Sequence, residues 1–180
     1  LEGEAFESFT VIKNGTNLSS EEIYDFDNFM MKILEKLGKN PVYLTDVFCN
    51  SKMLSADVGA AMDPTYKEVS EPKNAPKANY GVMICKYTGA RGKSGSSDAS
   101  AEFMGKIRRI LDAANVQWQI GELGAVDEGG GGTVAKYVAN LGIDVVDLGV
   151  PVLSMHAPYE VISKLDLYMA YKAFYTFFEQ

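Results

Sequence analysis

The sequence predicts an α/β domain whose largely parallel sheet is covered by helices on both faces. Three observations predict it. Short apolar runs of strand character alternate along the chain with segments whose apolar residues repeat at helical spacing. A length of 180 residues suits one such domain, or one domain with an appendage. A content of 47% hydrophobic and 23% charged residues is that of a globular protein able to bury a core, which excludes a disordered or fibrous chain.

The elements follow in order. Residues 9–12 form a short strand candidate, and Asn14-Gly15 is a turn signal. Ser19 with Glu22 three residues on makes a capping box, and Ile23, Phe26, Met30, Ile33, Leu34 and Leu37 repeat helically until Gly38 stops them. Apolar stretches occupy 42–48 and 51–57; Met53-Leu54-Ser55-Ala56-Asp57 reads as a short buried strand ending in a carboxylate. Residues 63–79, with Pro64, Pro72 and Pro76, read as an irregular loop long enough to suggest function. A strand is expected over 82–87, a Gly/Ser-rich loop over 88–97, a helix over 98–114 and a strand over 117–120. A glycine loop at 127–132 precedes a short helix over 133–141, which Gly142 ends. Strand pieces at 145–148 and 152–155 and a helix at 163–178 complete the pattern. That last helix carries apolar residues on more than one face, so it is either sandwiched in a core or packed on a partner.

Charge and composition narrow the function. A net charge of −7 disfavours a nucleic-acid partner, and no apolar run is long enough for a membrane helix. Two cysteines, Cys49 and Cys85, are too few for a disulfide framework and fit a reducing compartment, the cytoplasm. The chain opens Leu1-Glu2-Gly3-Glu4 without a signal-peptide pattern, so the expectation is a processed chain or the tail of a longer one. Asn14-Gly15-Thr16 and Asn17-Leu18-Ser19 then read as chance glycosylation matches.

Two nucleotide motifs fail on inspection. Gly92-Lys93-Ser94 lies between a strand and a helix, but the phosphate-loop pattern needs glycine where Tyr87 stands. Gly130-Gly131-Gly132-Thr133-Val134-Ala135 fits a dinucleotide pattern formally, yet Asp127 and Glu128 would repel a pyrophosphate. What survives is a glycine run able to expose backbone N–H groups, or simply a close-packed turn.

His156 is the only histidine, placed where an apolar strand ends. Asp57 stands in an equivalent place. Ligands bind at the carboxyl ends of strands in α/β sheets, and a carboxylate with an imidazole there is half of a zinc site.

Four ordered motifs carry a resemblance. They are Ser55-Ala56-Asp57-Val58 with Asp63-Pro64; Lys86-Tyr87-Thr88-Gly89, Gly92-Lys93-Ser94-Gly95 and Asp98-Ala99; Gly121-Glu122-Leu123-Gly124, Asp127 and Gly129-Gly130-Gly131-Gly132-Thr133; and Asp147-Leu148-Gly149-Val150-Pro151-Val152-Leu153-Ser154-Met155-His156-Ala157-Pro158. From about residue 20 onward the chain resembles the aspartyl aminopeptidase and vacuolar aminopeptidase I family of metallopeptidases, its bacterial branch above all. The resemblance implies a three-layer α/β/α sandwich with a mostly parallel central sheet, incomplete in this chain. It implies two divalent metals per active site, zinc first with cobalt or manganese as alternatives, and release of N-terminal residues from peptides with a free N-terminus. It also implies homo-oligomers, dodecamers in the family. Carried over, Asp57 and His156 are metal ligands. Lys86, Gly131, Gly132 and Thr133 are substrate contacts, with Lys86 and Lys93 able to meet an anionic group.

The departures matter as much. The family also uses an upstream histidine, a bridging aspartate and a Glu-Glu pair. Here residues 1–20 read as a remnant of the Glu-Glu region, with Glu4 at the general base and Ala5 in place of the metal-binding glutamate. Residues 21–180 read as the C-terminal part of the catalytic domain. Gly59-Ala60-Ala61 stands where one branch carries a substrate-binding histidine. The expectation is that the isolated chain is inactive or nearly so. The contrasting reading is a non-catalytic degenerate homologue or assembly scaffold.

Overall fold

The structure is a computed structural model that describes residues 20–91 and 94–180. It opens with α1 (Ser20–Lys36), which Gly38 ends in the left-handed region at φ 69°. The residues expected as an apolar stretch then form a 3₁₀ turn (Pro41–Tyr43) and a helix, α2 (Leu44–Asn50). Asn40 caps the turn by accepting from Val42 N, and Pro41 occupies a first-turn position where its missing N–H costs nothing.

The central sheet joins β1 (Lys52–Ala56), β3 (Val82–Cys85), β5 (Trp118–Ile120) and β7 (Asp144–Gly149) in the order β1-β7-β3-β5. The β1/β7 and β3/β5 pairings are parallel, whereas β3 meets β7 antiparallel. The sheet is therefore mostly parallel, as expected, with one reversal at its centre. Short pieces extend it. β2 (Gly59–Ala60), β8 (Pro151–Leu153) and β9 (Val161–Ile162) form a second sheet, and β4 (Gly89–Ala90) pairs with β6 (Gly130–Gly131).

Side-chain alternation sorts the two faces. Leu54, Val82, Ile84, Val146 and Leu148 join one core with α3 (Ala101–Ala113) and α5 (Lys164–Phe178). Met53 points the other way, into a second cluster with Met30 of α1, Phe48 of α2 and Val138 of α4 (Ala135–Ala139). Helices on both faces of one sheet make the expected three layers. On α5, Ala170 and Ala173 are buried against the sheet, while Tyr168, Tyr171 and Tyr175 form an exposed row. The helix is thus packed on the core by one face only.

The helix expected from residue 98 starts instead at Ala101, because Ser100 is its cap and accepts from Phe103 N. Ser100→Ala is expected to lower stability by about 1 kcal/mol in a urea titration. An unchanged midpoint would show that water replaces the cap at no cost.

The β1/β2 and β7/β8 arms keep one register throughout. Lys52 lies opposite Asp144 and Gly59 opposite Pro151, the same offset of 92 residues. Asp57-Val58 faces Gly149-Val150 where this two-stranded ribbon passes from one sheet to the other, Gly149 being the last residue of β7 and Val150 the link to β8. Gly59 N donates to Val150 O and Ala61 N to Val152 O, which carry the ladder beyond the break.

Candidate active site

Asp57 occupies that break. Its carboxylate is exposed, and among the described residues it accepts only from Val58 N, at 2.8 Å. Gly149 lies against it so closely that a Cβ there would sit 1.3 Å from Asp57 O. The ribbon's strand β7 thereby fixes where the Asp57 backbone can run.

His156 lies three residues beyond β8, in the turn that leads to β9. Its backbone holds the left-handed region at φ 68°, with Ser154 at φ 58°. Such a conformation is costly for a residue with a side chain and concentrates at functional sites. The turn is closed by Ala157 N donating to Ser154 O at 3.0 Å and by His156 N donating to Glu160 Oε1 at 2.6 Å. The imidazole is exposed and makes no hydrogen bond among the described residues. Asp57 and His156 thus project from the two arms of one ribbon at different levels, Asp57 beside Gly149 and His156 seven residues beyond Gly149 on the partner arm.

Beneath Asp57, on the same side of the sheet as α4, runs a polar row. Ser55, Asp147 and Cys85 are register partners across β1, β7 and β3, and all three are buried. Cys85 Sγ donates onward to Gly121 O at 2.8 Å. Burial pushes the Asp147 carboxyl above the usual carboxylate range; the Ser55 and Thr133 hydroxyls pull it partway back, and the charge of Asp57 raises it. Ser55 and Asp147 thus face each other two residues before Asp57, and Thr133 leads into α4 on the same side of the sheet. Asp147 and Ser55 were not singled out as site residues from sequence. The signal was present: a carboxylate in the middle of Val145-Val146-Asp147-Leu148 is out of place in a buried strand.

The glycine loop divides in two. Gly129 and Gly130 are required by packing, since a Cβ on Gly129 would lie 2.7 Å from Gly124 Cα and one on Gly130 would lie 2.0 Å from Gly89 O. Gly131 and Gly132 are less crowded, with nearest contacts for a Cβ of 3.2 and 3.8 Å. Beside the loop, Glu71, Asn74, Tyr87, Glu122 and Asp127 line a small cavity of about 80 Å³. The hydrogen bond to Glu122 raises the Tyr87 phenol above its ordinary value. Lys86 is held in an ion pair with Asp98, so an anionic ligand would compete with that carboxylate. A larger groove, about 510 Å³, lies between α3 and α5 beside Lys106 and Arg109, on the opposite side of the sheet from the Asp147 row. Glu4 and Lys93 fall outside the described residues.

A carboxylate and an imidazole, both turned outward, suit zinc. They supply part of a donor set: among the described residues no three or more His, Cys, Asp or Glu side chains converge on one point.

The sequence profile described as "Aminopeptidase I zinc metalloprotease (M18)" matches residues 24–178. The chain belongs to the M18 aminopeptidase family. It is 46% identical over 165 residues to a probable M18 family aminopeptidase 1 of Borreliella afzelii, covering 92% of this chain and 36% of that protein. Crystal structures of M18 aminopeptidases from Thermotoga maritima and Clostridium acetobutylicum superpose with TM-scores of 0.84 and 0.81 at 41% and 42% identity. They cover 93% and 87% of this chain, but 37% and 34% of their own. The chain thus spans about a third of the length of these M18 relatives. Among the described residues no helix is long and apolar enough to cross a membrane.

Proposed function

We propose that this chain forms the C-terminal part of the catalytic domain of a zinc aminopeptidase that releases N-terminal residues from peptides. The observation that carries the reading is the placement of Asp57 at the tightly packed break of the ribbon and of His156 in the strained turn beyond β8, both side chains exposed, with Asp57 bonded only to the neighbouring Val58 N among the described residues. On this reading residues 21–180 belong to the catalytic domain and residues 1–20 to a remnant of its Glu-Glu region, with Glu4 at the general base.

Asp57 and His156 are the ligands this chain would contribute to a pair of divalent ions. Bound zinc supplies Lewis-acid activation of water and of the peptide carbonyl. The rest falls to the chain's own residues. Gly131 and Gly132 would offer N–H donors to the peptide backbone, and Thr133 would anchor their loop. Lys86 would receive an anionic group only by leaving Asp98. The exposed tyrosine row of α5 supports assembly into a homo-oligomer, and the cysteine usage supports a cytoplasmic setting. The same row also favours the competing reading, a non-catalytic assembly module.

Zinc content and peptide release separate the two. The whole polypeptide as its gene encodes it, loaded with zinc, is expected to retain metal and release N-terminal amino acids, and the 180-residue chain alone to do neither. Asp57→Ala and His156→Ala are expected to weaken zinc retention at least about tenfold, read by chelator competition. A whole polypeptide that binds no zinc would overturn the enzyme reading in favour of the scaffold.

A further inference from the structure

We propose that Asp147 is a positioning residue, a buried latch that ties the end of β1 to the glycine loop through the hydroxyls of Ser55 and Thr133. The inference rests on the aminopeptidase reading for what is positioned, and on the structure for the latch itself.

Four buried polar atoms lack a hydrogen-bond partner among the described residues; one is Asp27 Oδ1 in α1, and the other three belong to these side chains: Ser55 Oγ, Thr133 Oγ1 and Asp147 Oδ1. Ser55 and Asp147 are 2% and 4% exposed, so water does not serve them freely. An orphaned buried polar group is destabilising, and three at one place call for a reason. Register and packing supply it. Ser55 and Asp147 are direct partners on the site side of the sheet, and Thr133 stands two residues before α4, which packs against β7 on that same side, so its buried hydroxyl reaches toward the Asp147 carboxyl. A carboxylate has lone pairs for both hydroxyls at once. With Ser55 and Thr133 donating to it, each orphan finds its complement and two separate pieces of chain are locked to one atom group.

Both pieces lead directly to functional positions. Ser55 precedes Asp57 by two residues on the same arm, and Thr133 follows Gly131-Gly132. Asp147 is itself on the arm that continues to His156. One carboxylate thus sets the relative position of a metal ligand and of the loop that would meet the peptide.

The test uses the whole, zinc-loaded polypeptide and the variants Ser55→Ala, Thr133→Val, Thr133→Ser, Asp147→Asn and the Ser55→Ala/Thr133→Val double. Thr133→Val keeps the side-chain shape without the hydroxyl. It is expected to speed amide hydrogen exchange in 129–133 and to raise KM several-fold while kcat changes little. Thr133→Ser should restore both. Ser55→Ala is expected to weaken zinc retention about tenfold, the scale of a lost supporting contact to a metal ligand. Asp147→Asn should show both effects, and the double variant less than their sum, because both hydroxyls act through one carboxylate. Additive effects, or exchange in 129–133 that ignores Thr133→Val, would overturn the latch. If the wild-type polypeptide neither holds zinc nor cleaves peptides, the function fails instead; the coupling between Ser55 and Thr133 in hydrogen exchange then still decides the latch. Melting temperature, followed in parallel, identifies any variant that has lost its fold, and Thr133→Ser keeps the question open to decision in that case.

Discussion

Gly149→Ala is expected to destabilise the protein by about 3 kcal/mol or more, well above an ordinary overpacking substitution. The added methyl would lie 1.3 Å from Asp57 O, 2.5 Å from Asp57 C and 3.3 Å from Asp57 N. All three are backbone atoms, so no rotamer change relieves the clash. The remedy is to move the link at Asp57-Val58, and that link is held on both sides. β1 is in register with β7 before it, and Gly59 N and Ala61 N are bonded to Val150 O and Val152 O after it. Displacing Asp57 therefore costs ladder hydrogen bonds as well as space. Urea titration of Gly149→Ala measures the effect, and in the zinc-loaded whole polypeptide metal retention should fall with it. A variant within about 1 kcal/mol of wild type would show that the ribbon yields at its break.

The second large effect is expected at Asp166. Its carboxylate is fully buried and accepts from Asn79 N at 2.7 Å and Gly81 N at 2.8 Å. Both donors belong to the turn that delivers the chain into β3, and both hold positive φ, 69° and 93°. Asp166 sits in the first turn of α5, where a negative charge also meets the helix N-terminus favourably. Ser163, the cap of the same helix, donates to Asn79 Oδ1 at 2.5 Å. The start of α5 thus grips the approach to the central strand. Asp166→Ala strands two N–H groups and should cost about 2–4 kcal/mol, read as a fall in melting temperature. Asp166→Asn, which keeps an acceptor, should cost less. Equal losses in the two variants would mean that the charge rather than the acceptor geometry matters.

Much of this was readable in the chain itself. Short apolar runs at Met53-Leu54 and Val82-Met83-Ile84-Cys85 mark strands buried on both faces, and the helical spacing around Phe103, Ile107 and Ile110 places α3. Strand direction was not readable, because a period of two is the same whichever way the strand runs; the reversal between β3 and β7 had to be seen. Pieces of two residues, such as β4, β6 and β9, are too short to show any period. Asp57 and His156 stood out as candidates from their motifs and from their places at strand ends. Asp147 and Ser55 hid inside apolar runs, where only their polarity marked them. Lys86 looked like a free cation in sequence, and only the fold shows Asp98 beside it.

The unbroken register of the ribbon has a bearing on how this protein tolerates changes in length. One arm crosses from one sheet to the other through Asp57-Val58 and the other through Val150, with Gly149 still in β7, and the pairing on either side carries the same offset. A residue inserted into one link alone would slip every downstream pair by one position and turn Ala60 and Val152 to opposite sides. Only a matching insertion in the other link would restore them. The lengths of the two links are therefore tied to each other, and surviving insertions and deletions are expected to come in pairs there or to fall in the turns beyond Ala61 and Leu153.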